Sequence, residues 1–403
     1  MLLTAEQEQI RDAVRDFAQR ELWPHAARWD REHHFPHEAH RGLAELGAYG
    51  ICVPESLGGA GLDYLTLALV LEEIAAGDGG TSTAISVTNC PVNAILMRDG
   101  SPEQQRRWLV PLAQGEMLGA FCLTEPQAGS DASALRTTAV REGDSYVIEG
   151  VKQFITSGRN GSVAIVIAAT DRAAGKKGLS AFLVPTDTPG YTVARLEDKM
   201  GQHSTDTALI QFDQCRIPVE QRIGAEGEGY RIALGALEGG RIGIAAQSVG
   251  MARSAFEVAL AYAHERTAFG RSIYEQQAVS FRLAECATRI EAARQLIWHA
   301  AALRDAGRPC LQEAAMAKLY ATEMAETVCS AAIQTLGGYG YVQDFPLERI
   351  YRDVRVCQIY EGHFRYPEAA HRPRAGRPPL RDGSHWLHSR ACLPVPARCL
   401  PIP

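Results

Sequence analysis

The stretch Phe121–Asp131 reads FCLTEPQAGSD and marks the point at which the chain changes character. Before it, residues 1 to about 120 have apolar residues at helical spacing. After it, as far as about Ile223, short segments rich in β-forming residues alternate with turn residues and predict strands at Ser145–Ile148, Ser162–Ala168, Leu179–Val184 and Thr207–Phe212. The stretch itself predicts a strand that runs into a loop, with small residues that let the backbone approach a ligand. Taken alone, it is better explained as a solvated turn.

Helical periodicity returns after Gly229 and continues towards the C-terminus. Three apolar stripes predict three long amphipathic helices, and brief connections between such helices are typical of a bundle. The sequence therefore predicts an α+β protein with domains at 1–120, 121–228 and 229–362, followed by an aberrant tail at 363–403. The stripes comprise Ile242, Ala246, Val249, Phe256, Leu260 and Ala263; Leu283, Cys286, Ile290, Ile297 and Leu303; and Leu311, Ala315, Met324, Val328 and Ala332.

Composition excludes several classes of protein. With 403 residues, 46% hydrophobic and 22% charged, the chain is typical of a soluble protein of two or three domains. A net charge of −6 argues against a nucleic-acid partner. No apolar run approaches the ~20 residues of a membrane span, so we expect no stable membrane insertion. The ten cysteines show no metal-ligand spacing and there is no secretory signal. We therefore expect reduced thiols, no metal site and a cytoplasmic location.

Two glycine clusters lack the context of a phosphate-binding fingerprint. Gly224–Gly229 (GAEGEG) and Leu336–Gly340 (LGGYG) do not follow a strand within a βαβ unit. They are better explained as a turn and a helix C-cap. Any dinucleotide must therefore be held in another way.

Further motifs follow Phe121–Asp131 along the chain, and together they identify a family. The first stretch resembles the TEP-x-AGSD signature of the acyl-CoA dehydrogenases. The resemblance continues, in family order and spacing, through Phe154–Thr156 (FIT), Glu238–Gln247 (EGGRIGIAAQ), Arg266–Gly270 (RTAFG), Gln334–Gly338 (QTLGG), Tyr351–Asp353 (YRD) and Gln358–Gly362 (QIYEG). It implies an N-terminal helical domain, a middle β-barrel or sandwich and a C-terminal four-helix bundle. The short-chain and short-branched-chain members are the most similar.

The resemblance implies that FAD is the cofactor and assigns two groups of residues to it. In the first group, Thr124 and Thr156 would offer hydroxyls to heteroatoms of the flavin ring. The second group would contact FAD partly across a subunit boundary; without the resemblance, Arg266 would be an ordinary solvated helix charge. The first group is Phe121, Leu123, Thr124, Ser130, Phe154, Ile155 and Thr156; the second is Arg266, Phe269, Gln277, Gln334, Leu336, Gly337 and Gly338.

The resemblance also assigns the catalytic base to Glu361. A thioester α-proton is far less acidic than a carboxylic acid, so the reaction needs donors at the thioester carbonyl and a desolvated, more basic carboxylate. Some relatives carry the base on the helix that corresponds to Glu238–Gln247, where this chain has Gly240 without a side chain. Of these two positions, only Glu361 has a side chain that could act as the base. The substrate contacts implied by the resemblance are Ser130, Glu238, Arg241, Tyr360 and Gly362.

The implied activity is the conversion of short, straight or branched acyl-CoA into trans-2-enoyl-CoA. The implied partners are electron-transfer flavoprotein, as electron acceptor, and three further copies of the chain in a homotetramer. Two alternatives stay open at this stage. One is an oxidase of similar fold that passes electrons to oxygen, and the other is an FAD-poor relative that serves as a binding or assembly subunit.

The resemblance breaks after Gly362. Residues 363–403 hold 8 of the 20 prolines and 7 arginines but no lysine. Relatives continue with Thr-Ser-(Glu/Asp)-Ile-Gln-Arg, which contacts the far end of FAD, whereas this chain reads HFRYPEAAHR. The codons CAC TTC CGA TAT CCA GAG encode the start of that stretch. Without their first base they read Thr-Ser-Asp-Ile-Gln, the family ending. We therefore hypothesise a frameshift after Gly362.

Overall fold

The computed structural model describes residues 2–362, so the hypothesis about residues 363–403 lies outside the described residues. The N-terminal part is helical, as predicted. Its first helix begins with a capping box, in which the Thr4 side chain accepts from the Gln7 N–H and the Gln7 side chain accepts from the Thr4 N–H. The helices are α1 (Ala5–Phe17), α2 (Trp23–Glu32), α3 (His37–Glu45), α4 (Tyr64–Gly77), α5 (Gly79–Val87), α6 (Ala94–Asp99), α7 (Pro102–Gln104) and α8 (Val110–Ala113).

The middle part is an eight-stranded mixed sheet. Seven strands follow the order β6-β7-β3-β2-β4-β5-β8, and β1 pairs with β4 in parallel. The predicted strand that leads into the TEP loop is therefore present and lies beside β4. The strands are β1 (Gly119–Cys122), β2 (Thr138–Glu142), β3 (Ser145–Thr156), β4 (Val163–Ala169), β5 (Leu179–Pro185), β6 (Tyr191–Leu196), β7 (Thr207–Pro218) and β8 (Arg222–Ile223).

The sheet is covered on both faces. Side chains alternate between the faces of a strand, so the unbroken apolar run of β4 needs a core on each side. Ile165 and its neighbours on one face pack with the N-terminal helices and with the start of the next long helix. Val166 and its neighbours on the other face pack with Phe182 and Phe212 of the same sheet. The sheet thus encloses a core of its own, as the predicted barrel or sandwich requires.

The C-terminal part contains the three predicted long helices within the described residues. They share one core with α4, which is buried on nearly all sides: most of its residues are apolar, and its buried Glu72 and Glu73 form ion pairs with arginines of α9 and α10. A short hairpin joins the first two. The elements are α9 (Gly229–Glu265), β9 (Thr267–Ala268), β10 (Arg271–Ser272), α10 (Gln277–Asp305), α11 (Leu311–Leu336), α12 (Gly338–Tyr341) and α13 (Leu347–Val354).

Two strands are longer than their sequence pattern predicts. The apolar runs suggested Ser145–Ile148 and Thr207–Phe212, whereas β3 and β7 each extend for 12 residues. The register of this pair shifts between Ile148 and Gly150 and again between Lys152 and Ile155. Such bulges interrupt the alternation of apolar and polar residues from which strands are predicted. Within residues 2–362, no helix is both long and apolar enough to cross a bilayer.

Candidate active site

Glu361 lies just beyond α13, on a backbone that turns sharply. Its φ is +52° and that of Gly362 is +96°, so two successive residues adopt the left-handed region. This region is unusual for a non-glycine residue. The Oε2 atom of Glu361 is buried and has no hydrogen-bond partner among the described residues. A buried carboxylate oxygen without a partner is costly and points to a functional group that awaits a ligand.

Helix α9 provides the space for this carboxylate. A Cβ atom added at Gly240 would lie 2.5 Å from Oε2 of Glu361, which is closer than two such atoms can approach. The two positions considered for the base are therefore adjacent in space. Because Gly240 has no side chain, the carboxylate of Glu361 can lie against the helix.

The electrostatic environment of Glu361 contains opposing effects. Burial raises the pKa of its carboxyl to about 7, while the nearby charges of Lys318 and Arg241 act to lower it. Lys318 extends from α11 and donates hydrogen bonds to the backbone oxygens of Tyr360 (2.7 Å) and Gly362 (2.8 Å). A carboxyl with a pKa of about 7 is half ionised at neutral pH, as a general base requires.

Three of the five predicted substrate residues, Arg241, Tyr360 and Gly362, lie beside Glu361, and a fourth, Glu238, lies two residues before Gly240 on α9. Tyr360 donates its hydroxyl to Oε1 of Gln247 on α9, at 3.2 Å. Arg241 follows Gly240 on the same helix, and its Nη2 would lie 3.3 Å from a Cβ at Gly362. Glu238 accepts a hydrogen bond from Arg304 at 3.1 Å. The fifth, Ser130, lies exposed in the loop after β1, and no contact joins it to Glu361 within residues 2–362.

The loop after β1 and the end of β3 are joined through their backbones. The N–H of Gln153 donates to the oxygen of Thr124 at 2.9 Å, which brings Phe121–Thr124 beside Phe154–Thr156. Phe154 has a φ of +60° and its side chain is 59% exposed. An exposed aromatic ring on a strained backbone offers a face that suits a flat ring.

A buried ion pair, which the sequence did not predict, holds this loop. The Glu125 carboxylate accepts hydrogen bonds from Nζ of Lys152 (2.8 Å) and from the backbone N–H groups of Arg136 (2.6 Å) and Thr137 (3.0 Å). Lys152 also donates to the oxygen of Leu123 at 3.0 Å. These donors hold the pKa of Glu125 down at about 2, despite its burial. The signal in the sequence was a lysine in an apolar strand, close to a loop carboxylate.

The second predicted FAD group forms a separate cleft of about 570 Å³. Arg266 and Gln334–Gly338 line it together with Tyr262 and Tyr339, and none of the first group does so. Phe269 lies at the tip of the β9–β10 hairpin, with a φ of +55° and a side chain that is 97% exposed. Gln277 is the exposed first residue of α10. The structure therefore brings Arg266 and Gln334–Gly338 together but does not join them to the loop after β1.

Family models match nearly all of the described chain. The models for acyl-CoA dehydrogenases match in order: the N-terminal domain at residues 4–116, the middle domain at 120–215 and the C-terminal domain at 227–364. The short-chain specific acyl-CoA dehydrogenase of human mitochondria is 47% identical over 348 residues, which cover 86% of this chain and 84% of that protein.

Solved structures show the same similarity. Butyryl-CoA dehydrogenase from Megasphaera elsdenii superimposes with a TM-score of 0.89 at 38% identity, over 90% of this chain and 96% of that one. A chain from a structure of the electron transferring flavoprotein of Acidaminococcus fermentans also gives a TM-score of 0.89, at 43% identity and with the same coverage. The matched regions contain both FAD groups and Glu361.

Proposed function

The chain belongs to the acyl-CoA dehydrogenase family, and from this premise we propose that it oxidises short-chain acyl-CoA to trans-2-enoyl-CoA with Glu361 as the base. It is an oxidoreductase that acts on acyl-CoA, and FAD is its cofactor. The observation that carries the proposal is the buried, unpartnered Oε2 of Glu361, which lies against the space left by Gly240.

Glu361 contributes two groups to the proposed reaction. Its carboxylate removes the α-proton, and an acyl chain that displaces water from it would raise its basicity further. Its backbone N–H has no acceptor among the described residues and is therefore free to donate to the thioester oxygen, where negative charge develops. The base and the donor would then belong to one residue on one rigid turn.

The first FAD group fits a flavin ring. Phe154 offers an aromatic face, and Thr124 and Thr156 are half-buried hydroxyl residues beside it. We assign Phe121, Leu123, Thr124, Ser130, Phe154, Ile155 and Thr156 to the flavin end. When bound, FAD accepts the hydride from the substrate's β-carbon. The remaining substrate contacts are assigned to Ser130, Glu238, Arg241, Tyr360 and Gly362.

We further propose that the chain acts as a homotetramer in which the second FAD group serves a neighbouring subunit. The support is the separate position of the Arg266 cleft and the exposure of large apolar side chains near it, among them Phe269 and Tyr341 (85% exposed). Within the part that the structure describes, a single chain does not cover the side chains of Phe269 and Tyr341. The mass of the purified protein, measured by light scattering, tests the proposal, and a monomer that binds FAD tightly would contradict it.

Short acyl chains and an electron-transfer flavoprotein are the proposed substrate and electron acceptor. Support for the substrate comes from the similarity to the short-chain specific human enzyme and to butyryl-CoA dehydrogenase, and short branched chains belong to the same proposal. Support for the acceptor comes from the similar chain in the Acidaminococcus structure. We also propose a cytoplasmic location, because all eight cysteines within the described residues are free thiols.

One experiment tests cofactor, reaction and chain length together. The purified protein is mixed without oxygen with a panel of straight and branched acyl-CoAs, and the bleaching of the flavin absorbance is followed. We expect the fastest bleaching with short chains such as butyryl-CoA, and a maximum at palmitoyl-CoA would contradict that preference. Colourless protein would favour the binding-subunit alternative. Rapid reoxidation of the substrate-reduced flavin by air would favour an oxidase.

A further inference from the structure

Lys318 is a buried lysine whose hydrogen bonds go to neutral groups. It lies in α11 and is only 3% exposed. No ion pair within residues 2–362 includes it; its ammonium instead donates to the backbone oxygens of Tyr360 and Gly362, at 2.7 Å and 2.8 Å. Burying an ammonium without an opposite charge in contact is costly, so its presence here calls for a function.

The two acceptors lie on either side of Glu361: the Tyr360 oxygen belongs to the peptide group that carries the N–H of Glu361, and the Gly362 oxygen belongs to the peptide group that follows Gly362. A trans peptide is planar and its C=O and N–H point in opposite directions. Because Lys318 holds the Tyr360 C=O, the N–H of Glu361 must point away from α11. The bond to the Gly362 oxygen holds the following residue as well. One ammonium thus supports Glu361 in a left-handed conformation that a glutamate rarely adopts.

The charge of Lys318 also acts on the carboxylate of Glu361. The charged or titratable groups that interact with this carboxylate are Lys318 on α11, Arg241 on α9 and the Cys90 thiol in the segment Thr88–Asn93. The two cations lower the pKa of Glu361, against the larger effect of burial. Removing one cation should therefore make the carboxyl harder to ionise.

We propose that Lys318 is a positioning residue for the reaction, which holds the turn Tyr360–Gly362 so that the N–H and the carboxylate of Glu361 serve one thioester. The proposal rests on the proposed function, because it assumes that Glu361 is the base. Lys318 itself need not touch the substrate. Its effect should therefore appear in the chemical step and in the pH dependence.

Three substitutions separate the two contributions of Lys318. Lys318→Met removes the donor and the charge, Lys318→Gln keeps a donor without charge, and Lys318→Arg keeps both in a different shape. Lys177→Met is the matched control, because it removes an exposed lysine charge from a turn outside the site. For each protein, flavin content, kcat and KM with butyryl-CoA and the pH profile of flavin reduction are measured without oxygen.

We expect Lys318→Met to retain flavin but to lose kcat by about tenfold or more, since removing a group that positions a transition-state donor costs catalysis rather than binding. Its rate should require a higher pH than that of the parent. Lys318→Gln should show the same pH shift with a smaller loss of kcat. Lys318→Arg should retain the parent pH dependence, and Lys177→Met should match the parent in every measurement.

The outcomes distinguish this proposal from the proposed function. If the parent protein and Lys177→Met bleach no flavin with any acyl-CoA, the proposed function is wrong and the role of Lys318 in it falls as well. If the parent is active, Glu361→Gln is inactive and Lys318→Met keeps the parent kcat and pH profile, only the Lys318 proposal is overturned. If Lys318→Met fails to fold, Lys318→Gln tests the proposal instead. A pH profile of flavin reduction that matches the parent, measured per bound flavin, would show that the role of Lys318 is purely structural and would overturn the proposal.

Discussion

At the scale of single residues, the turn at Glu361 places a carboxylate where burial opposes its ionisation. The pKa of about 7 lies above the ordinary value of 4.5, because the charged form loses its hydration. A raised carboxyl pKa means that the folded protein binds this proton more tightly than the unfolded chain. The cost to stability is therefore absent below pH 4.5 and complete above pH 7. The cost falls on the residue that we propose as the base, where a higher pKa makes the carboxylate more basic.

The same shift predicts how activity depends on pH. The base must be ionised, so kcat/KM with butyryl-CoA should fall about tenfold for each pH unit below 7. Initial rates of flavin reduction between pH 5 and 9 test this, with flavin content checked at each pH. Glu361→Gln should lose ~10²–10⁴-fold in rate above pH 7, and its remaining rate should lack the fall below pH 7. A parent profile with its midpoint near pH 4.5 would contradict the buried base.

Gly240 provides a second test at this scale. Gly240→Ala adds a methyl group 2.5 Å from Oε2 of Glu361, so the carboxylate must move. Alanine in a helix interior is favoured over glycine by up to ~1 kcal/mol, so the fold should be retained while kcat falls about tenfold or more. Gly235→Ala is the matched control on α9, since its methyl group would meet only the mobile end of Arg98. Equal kcat in Gly240→Ala and the parent would show that the carboxylate is not confined there.

At the scale of elements, the loop after β1 depends on a pair of opposite charges. Lys152 in β3 and Glu125 in the loop are 0% and 4% exposed and lie in contact. Removing one partner of such a pair leaves an uncompensated buried charge, which costs about 3–5 kcal/mol. Lys152→Met should therefore lower the free energy of unfolding by that amount and should loosen FAD, because the loop carries part of its proposed site. Denaturant unfolding and flavin titration measure the two effects.

The pH dependence of the unfolding free energy of Lys152→Met shows whether the loss of stability comes from an unpaired carboxylate. In the parent, the pKa of Glu125 is about 2, so its stabilising effect is present above pH 4.5 and is lost as pH falls towards 2. Without Lys152, the pKa of Glu125 should rise, because burial then opposes fewer favourable partners, so the loss of unfolding free energy in Lys152→Met should shrink as pH falls from 7. The double variant Lys152→Met/Glu125→Gln should be more stable than the single variant near pH 7. A deficit that is independent of pH would contradict the assignment to an unpaired charge.

The elements also show what a sequence reveals and what it hides. The stripes of α9, α10 and α11 and the apolar run of β4 were predicted, because burial imposes a period on the residues that form these elements. The family motifs indicated which segments form the site. The partners of Lys152 and Lys318 were not predicted, since a pair separated by 27 or 42 residues leaves no local pattern. Phe154 at positive φ was likewise hidden, because a bulge obscures its position.

At the scale of the whole molecule, the site is assembled from segments that are far apart in the sequence. Gly240, Lys318 and Glu361 come together because α9, α11 and the end of α13 share one core. The residues that we propose to bind FAD divide between the loop after β1 and the cleft at Arg266. This division is the physical reason to expect several subunits: one chain holds two half-sites that no described contact joins. The sequence indicated both halves, but only a structure could show that they are separate.

The last prediction concerns residues 363–403, which lie outside the described residues. The family match ends at residue 364, and one choice of codons for residues 363–372, read one base later, encodes the family ending Thr-Ser-Asp-Ile-Gln-Arg. That ending would supply polar contacts to the far end of FAD. Two hydrogen bonds at about 1 kcal/mol each correspond to roughly thirtyfold in affinity. A protein made from the gene corrected by one base should therefore bind FAD about thirtyfold more tightly than the chain as given. Flavin titration of the two apoproteins measures this ratio, and the gene is re-sequenced across codon 362. If the given frame is genuine and both proteins bind FAD equally tightly, the frameshift hypothesis is wrong.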